Sequence, residues 1–206
     1  MKYFILIFIG LITLVIITSC GLIQTSSADK EKVRIAEEYG GIYVFDKAIR
    51  DEIIALEKQE LIERKKVSLD DPNFVKKMVA LEEKYSILSN GCKYFAKGLS
   101  VQEYERTDLS PYKEKIKEYT GEEAYNILHK GLFVSSYYVD KNNKVIPITF
   151  YTYIYDTITT YGLYGDEGAG FRLTNRYSVG IAGGNIFYLE NGKFIKSDEI
   201  RKGERK

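Results

Sequence analysis

The hydrophobic grammar of the chain changes once, at Gly131, and that change constrains the fold more than any other feature. Before it, apolar residues recur at steps of three and four, and helix-start signals interrupt them at short intervals. After it, β-branched and aromatic residues alternate with period two, and the breaks carry Asn and Gly. Such a chain is α+β: N-terminal amphipathic helices followed by a curved antiparallel β-meander. No residues remain between the strands for crossover helices, which excludes a parallel doubly wound sheet.

In the helical part, Ile35, Tyr39, Ile42, Phe45, Ile49, Ile53 and Leu56 form one stripe between Glu31 and Lys66, predicting a long amphipathic helix or a helix pair. Gly40-Gly41 marks the break point, because interior glycines cost about 1 kcal/mol each relative to alanine. Asp70-Asp71-Pro72 reads as a helix restart, with Phe74, Met78, Leu81, Tyr85 and Leu88 as its stripe. Ser100-Val101-Gln102-Glu103 and Thr120-Gly121-Glu122-Glu123 fit capping boxes, and Ser110-Pro111 fits an N-cap followed by proline. In the second part, strands are expected over Leu132 to Val139, Val145 to about Thr160, Phe171 to Ala182, Asn185 to Leu189 and Phe194 to Lys196. Asn191-Gly192 is a hairpin turn.

The first residues carry an address. Met1-Lys2 is a minimal positive start, and Tyr3 to Ile17 follow without a charge. The run closes on Ile17-Thr18-Ser19-Cys20-Gly21, which resembles the lipobox of bacterial lipoproteins. That resemblance implies cleavage between Ser19 and Cys20, lipidation (palmitate included) of the Cys20 thiol, and a membrane-bound protein on the extracytoplasmic side, at the inner or the outer membrane. Two or three acyl chains anchor stably where one does not, since each buried methylene contributes about 0.8 kcal/mol. The competing reading is an uncleaved membrane helix, as about 20 residues suffice to span. The expected organisation is a signal peptide over residues 1–19, a lipid-anchored tether over 20–29, an amphipathic helical segment over 30–89, an α+β sheet domain over 90–200 and a charged tail over 201–206.

Charge and composition narrow the function classes. Lys and Arg total 30 against 29 Asp and Glu, so no global field recruits nucleic acid. Two cysteines and one histidine are too few for a Cys or His zinc cage. No cofactor, metal site or catalytic residue is expected. His129 stands in the last turn of a helix, where a cation suits the dipole. Cys92 reads as a small buried hydrophobe. The loop Gly165-Asp166-Glu167-Gly168-Ala169-Gly170 matches no phosphate-binding glycine spacing, and Asp140-Lys141-Asn142-Asn143 reads as a turn rather than a metal loop.

Tyrosine is the compositional excess, with 18 in the chain. Tyr151, Tyr153 and Tyr155 share one face of the long strand, and Phe150, Thr152 and Ile154 share the other. If Phe150 and Ile154 pack on the helices, the three tyrosines form an outward candidate binding surface; the opposite orientation makes them core.

From about Asn90 to Ile200, short helices precede a bent meander. The stretch with Leu109-Ser110-Pro111-Tyr112 and Tyr119-Thr120-Gly121-Glu122-Glu123-Ala124-Tyr125 resembles the nuclear-transport-factor-two-like (cystatin-like) cones of conjugation and type IV secretion subunits. The resemblance implies a sheet concavity that holds a small ligand or a neighbouring subunit. Enzymes of that superfamily use an Asp-His pair in the cavity, and His129 precedes the sheet instead. The leading expectation is a non-catalytic binding or scaffold lipoprotein of the envelope, an accessory of conjugation or secretion, with a protein partner there. The alternatives are an immunity or exclusion lipoprotein against a toxin, phage or plasmid, and a carboxylate-dependent enzyme using Asp156 with Glu167.

Overall fold

Four residues from the helical half of the sequence occupy the centre of the main sheet. In the computed structural model, which describes Tyr3 and residues 24–198 apart from 167 and 169, the chain is mixed α+β with a curved, mainly antiparallel sheet. The chain divides into two units, Ile35–Ile154 with Ala182–Lys206, and Met1–Arg34 with Tyr155–Ile181. Residues 1–2 and 4–23, with Ser19 and Cys20 among them, and the tail 201–206 lie outside the described residues.

The larger unit holds a six-stranded sheet. Its strands are β2 (Gly41–Val44), β3 (Lys93–Phe95), β4 (Leu132–Val139), β5 (Val145–Thr152), β8 (Asn185–Glu190) and β9 (Lys193–Lys196), in spatial order β3-β4-β5-β2-β8-β9. β2 pairs antiparallel with β5 and parallel with β8, so the sheet is not a simple meander. The helical stripe expected from Glu31 to Lys66 is therefore two helices with a strand between them: α1 (Lys30–Tyr39) and α2 (Lys47–Arg64) flank β2. The reason lies in Gly40-Gly41. Gly41 has φ 145°, and a Cβ there would stand 2.1 Å from the Asn185 carbonyl oxygen, so only glycine lets β2 lie this close to β8. Asn185 Nδ2 donates to the Glu37 and Gly40 carbonyls at 2.8 Å, which ties the end of α1 to the start of β8.

Each face of this sheet carries helices. On one side α5 (Ser110–Thr120) and α6 (Glu122–Leu128) cover a core of Tyr43, Ile116, Val134, Tyr137, Phe150 and Phe187. The rings interlock, with Tyr43 stacked on Phe187 at 4.6 Å and Tyr112 on Phe150 at 5.6 Å. On the other side Ile49, Ile53 and Leu56 of α2 pack on Leu88, Tyr94 and Ile148. Asp46 caps α2 by accepting from the Ile49 N–H at 2.9 Å. The β4–β5 register shifts at Val134/Ser136 and again at Ser136/Tyr137, and such bulges bend a sheet. The hydroxyls of Ser135 and Ser136 meet the Thr149 Oγ1 there at 2.8 and 2.6 Å.

Several local signals behave differently from their sequence reading. Helix α3 (Phe74–Tyr85) starts two residues after Pro72, because Asp71 instead accepts from the Asn73 N–H and pairs with Lys77. The capping box at Ser100–Glu103 forms and opens α4 (Val101–Glu105). The one at Thr120 does not: Thr120 ends α5 with its Oγ1 donating to the Ile116 carbonyl, and Gly121 at φ 81° makes the joint to α6. Asn191 and Gly192 both have positive φ, 50° and 79°, as the β8–β9 hairpin turn requires.

In the smaller unit, β1 (Gln24–Thr25) pairs antiparallel with β6 (Ile154–Asp166), and β7 (Gly170–Ile181) lies on the other side of β6. The single strand expected from Val145 to about Thr160 is divided at Tyr153, with β5 in the six-stranded sheet and β6 in the three-stranded one.

Candidate binding surface

The three candidate tyrosines are divided between the units. Phe150 and Ile154, their neighbours on the strand, are both buried, whereas Tyr151 and Tyr153 are half-buried and Tyr155 is exposed. Tyr151 and Tyr153 belong to the larger unit, and Tyr155 to the smaller. In the larger unit, the ring of Phe133 lies 5.6 Å from that of Tyr151 and 6.1 Å from that of Tyr153, and the two tyrosine rings are 6.1 Å apart. Phe133 pairs with Tyr151 across β4 and β5, and Ile42 pairs with Tyr151 on the other side. Gly131 lies against the backbone of Tyr153, where a Cβ would stand 2.0 Å from the Tyr153 carbonyl oxygen. Phe133 was invisible as a site residue in sequence because cross-strand pairing, not strand alternation, brings it here.

A cavity of about 460 Å³ opens between α2, α3 and β3, lined by Glu57, Glu60, Arg64, Glu82, Lys93 and Tyr94 among others. Arg64 bridges it, donating from Nε to Glu60 at 2.7 Å and standing 3.9 Å from Glu82. Burial, with Glu57 and Glu60 adding to it, pushes the Tyr94 phenol up to about 12. Desolvation in the cleft, then Glu60, raises Glu57 above the usual carboxylate value. The Arg64 guanidinium thus faces a carboxylate on each side of the α2–α3 seam, Glu60 on α2 and Glu82 on α3.

Asp156, the carboxylate candidate, is buried in the smaller unit. Its Oδ2 accepts from the Asp29 N–H at 2.7 Å, and its Oδ1 accepts from Lys32 Nζ at 2.7 Å and from the Thr157 N–H at 2.9 Å. The Lys32 hydrogen bond first, then the one from Asp29, hold the carboxyl below its ordinary range. Its oxygens are committed to the fold. Glu167, the partner suggested for it, lies outside the described residues.

The remaining candidates have structural duties. His129 follows α6, with Nδ1 3.2 Å from the Tyr125 carbonyl oxygen and its ring stacked on Tyr125 at 5.8 Å. Cys92 is a buried free thiol whose N–H donates to Asn90 Oδ1 at 2.9 Å. Asp140 Oδ1 accepts from the Asn142 and Lys144 N–H groups and closes the β4–β5 turn. No group of three His, Cys, Asp or Glu suited to a metal ion occurs among the described residues. No helix among them is long and apolar enough to cross a membrane.

No protein-family model matches the chain, and neither a curated protein nor a solved structure is significantly similar to it.

Proposed function

We propose that the chain is a bacterial envelope lipoprotein, anchored through Cys20, that works as a binding or scaffold module through the aromatic face of its larger unit. The observation that carries the binding role is the cluster of Phe133, Tyr151 and Tyr153 on the sheet face opposite the buried Phe150. Aromatic rings with polar tips are the side chains that dominate protein interfaces, since they supply large contact area at little entropic cost. Anchoring is supported by the apolar run that closes on Ser19-Cys20. The order of short helices followed by a bent sheet favours the subunit-binding role of conjugation and secretion domains as the form this scaffold takes.

The test is a photo-crosslinking residue placed at Tyr151 in the anchored protein within its native envelope, against the same residue at Leu69, which is 82% exposed. A discrete adduct at position 151 that is lacking at 69 is the expected result. Equal, diffuse labelling at both positions would sink the binding-face reading.

A further inference from the structure

The three-stranded sheet of the smaller unit carries its three most exposed large apolar residues, Leu163, Phe171 and Leu173, in one half, while Tyr155 and Tyr177 are exposed in the other. Thr160 Oγ1 donates to the Asn175 carbonyl at 3.3 Å, and Gly165 packs on Gly170, where a Cβ would fall 1.9 Å from the Gly170 oxygen. These two contacts align β6 with β7. Between them lie Tyr161 and Leu163 on β6, with Phe171 and Leu173 on β7, exposed by 47, 71, 63 and 72% respectively. No described strand pairs with the outer edge of β7. An exposed apolar edge strand of this length is a liability in water unless something covers it.

The chain itself indicates what covers it. β1 is antiparallel to β6, with Gln24 opposite Tyr161 and Thr25 opposite Thr160. Ser26 reinforces the pair, its N–H donating to the Thr159 carbonyl at 2.9 Å and its Oγ accepting from the Thr159 N–H at 2.8 Å. From Thr25 to Gln24, β1 steps along β6 from Thr160 to Tyr161, the edge of the apolar half. Cys20 is only four residues further back, a reach of about 14 Å at full extension.

We propose that this half of the ribbon, Tyr161 and Leu163 with Phe171 and Leu173, rests in the lipid interface beside the acylated Cys20 as a second membrane contact; the inference rests on the anchoring reading. The depth is interfacial. Tyrosine settles at the headgroup level, and Arg172, between Phe171 and Leu173 on β7, keeps its guanidinium on Asn175 Oδ1 at 3.1 Å. The hydrocarbon core is excluded as the seat, because the outer backbone groups of β7 would lose their water there. Two contacts restrain the orientation of the protein on the membrane, which a lipid on a tether alone does not.

The chain has no tryptophan, so one introduced indole reports on one place. The experiment uses the full-length acylated protein carrying Leu173→Trp, reconstituted in phosphatidylethanolamine–phosphatidylglycerol vesicles with brominated acyl chains. Leu163→Trp serves as an independent reporter on β6 and Leu69→Trp as the control on the larger unit. Quenching of both ribbon reporters by about twofold or more relative to unbrominated vesicles, with the control unquenched, is expected for an interfacial indole. An acylated, vesicle-bound chain whose ribbon indoles emit as in water overturns the inference and leaves the anchor standing. Blue-shifted but unquenched emission overturns it too, since the ribbon is then covered by protein. A chain whose Cys20 carries no acyl group by intact mass removes the anchor and the inference together.

Discussion

Lys32 Nζ lies 2.7 Å from Asp156 Oδ1, and the other oxygen of that carboxylate holds the Asp29 N–H at the same distance. One side chain on β6 thus fastens the entry of α1 through a charge and a backbone donor together. Asp156→Asn keeps the shape and loses the charge. The expected cost is roughly 2 kcal/mol, read as faster amide exchange at Ser26 and Thr159, because hydrogen bonds to charged groups are worth about 1.5–3 kcal/mol and Lys32 is partly solvated. Since the folded carboxyl sits below its unfolded value, its contribution is fully present above about pH 4–5 and is lost as pH falls through the lower folded value. The gap between wild type and Asp156→Asn should therefore close in acid; a gap that persists unchanged below pH 3 would remove this account.

Alkaline pH acts with the opposite sign. Tyr94 and Tyr137 are both pushed up to about 12, Tyr94 by burial and then Glu57 and Glu60, Tyr137 by burial and then its hydrogen bond to Glu103. Unfolded tyrosines ionise near 10, so the stability these phenols contribute is complete below about pH 10 and is lost as pH rises toward their folded values. Tyr94→Phe is expected to flatten the fall in the urea midpoint over that range while moving the pH 7 midpoint little. Tyr137→Phe should also lose stability at pH 7, because it breaks the 2.9 Å bond to Glu103. Identical alkaline limbs in wild type and both variants would refute the assignment.

The approach of β2 to β8 leaves no room for a side chain. Gly41→Ala puts a methyl 2.1 Å from the Asn185 oxygen, and the backbone must move. A loss of about 3 kcal/mol or more is expected, as for other clashes and strained conformations in a packed core. Gly91→Ala is the control, because open space surrounds that position and only the positive φ of 78° is strained. Equal melting temperatures for the two variants would show that β2 does not need this spacing.

What the sequence could show follows from the range of the interactions. The cap at Ser100–Glu103 and the turn at Asn191-Gly192 are local, and both are present as read. β2 was hidden because Ile42 also fits the step of a helix between Tyr39 and Phe45, and only its distant partners Ile186 and Tyr151 make it part of a strand. The division at Tyr153 was hidden for the same reason: period two continues through it, and the change of sheet depends on which strands lie alongside. At the aromatic cluster, alternation alone gave Tyr151 and Tyr153, while Phe133 needed the β4–β5 register.

Cys20→Ala tests the anchor directly. The wild type is expected to incorporate labelled fatty acid and to sediment with membranes, and the variant to lose the label. An intact mass showing Met1 retained or Cys20 unmodified in the wild type would end the lipoprotein reading.

The aromatic face makes the sharpest functional prediction. Tyr151 and Tyr153 are half-buried, whereas Phe150, Tyr43 and Phe187 belong to the buried core on the other side of the sheet. Truncating both to Ala should therefore cost less than the roughly 3–5 kcal/mol typical of a fully buried aromatic. Thermal unfolding should shift modestly, while partner capture should fall by about 2 kcal/mol or more per contact tyrosine if these rings are interface anchors. Phe150→Ala is the counterpart that should unfold the protein first, as its ring is fully buried. If the Tyr151→Ala/Tyr153→Ala variant melts as far below wild type as Phe150→Ala does, the rings are core and the binding-face reading fails. If it melts near wild type and still yields the same crosslinked adduct from a neighbouring position, the face is exposed but the partner docks elsewhere.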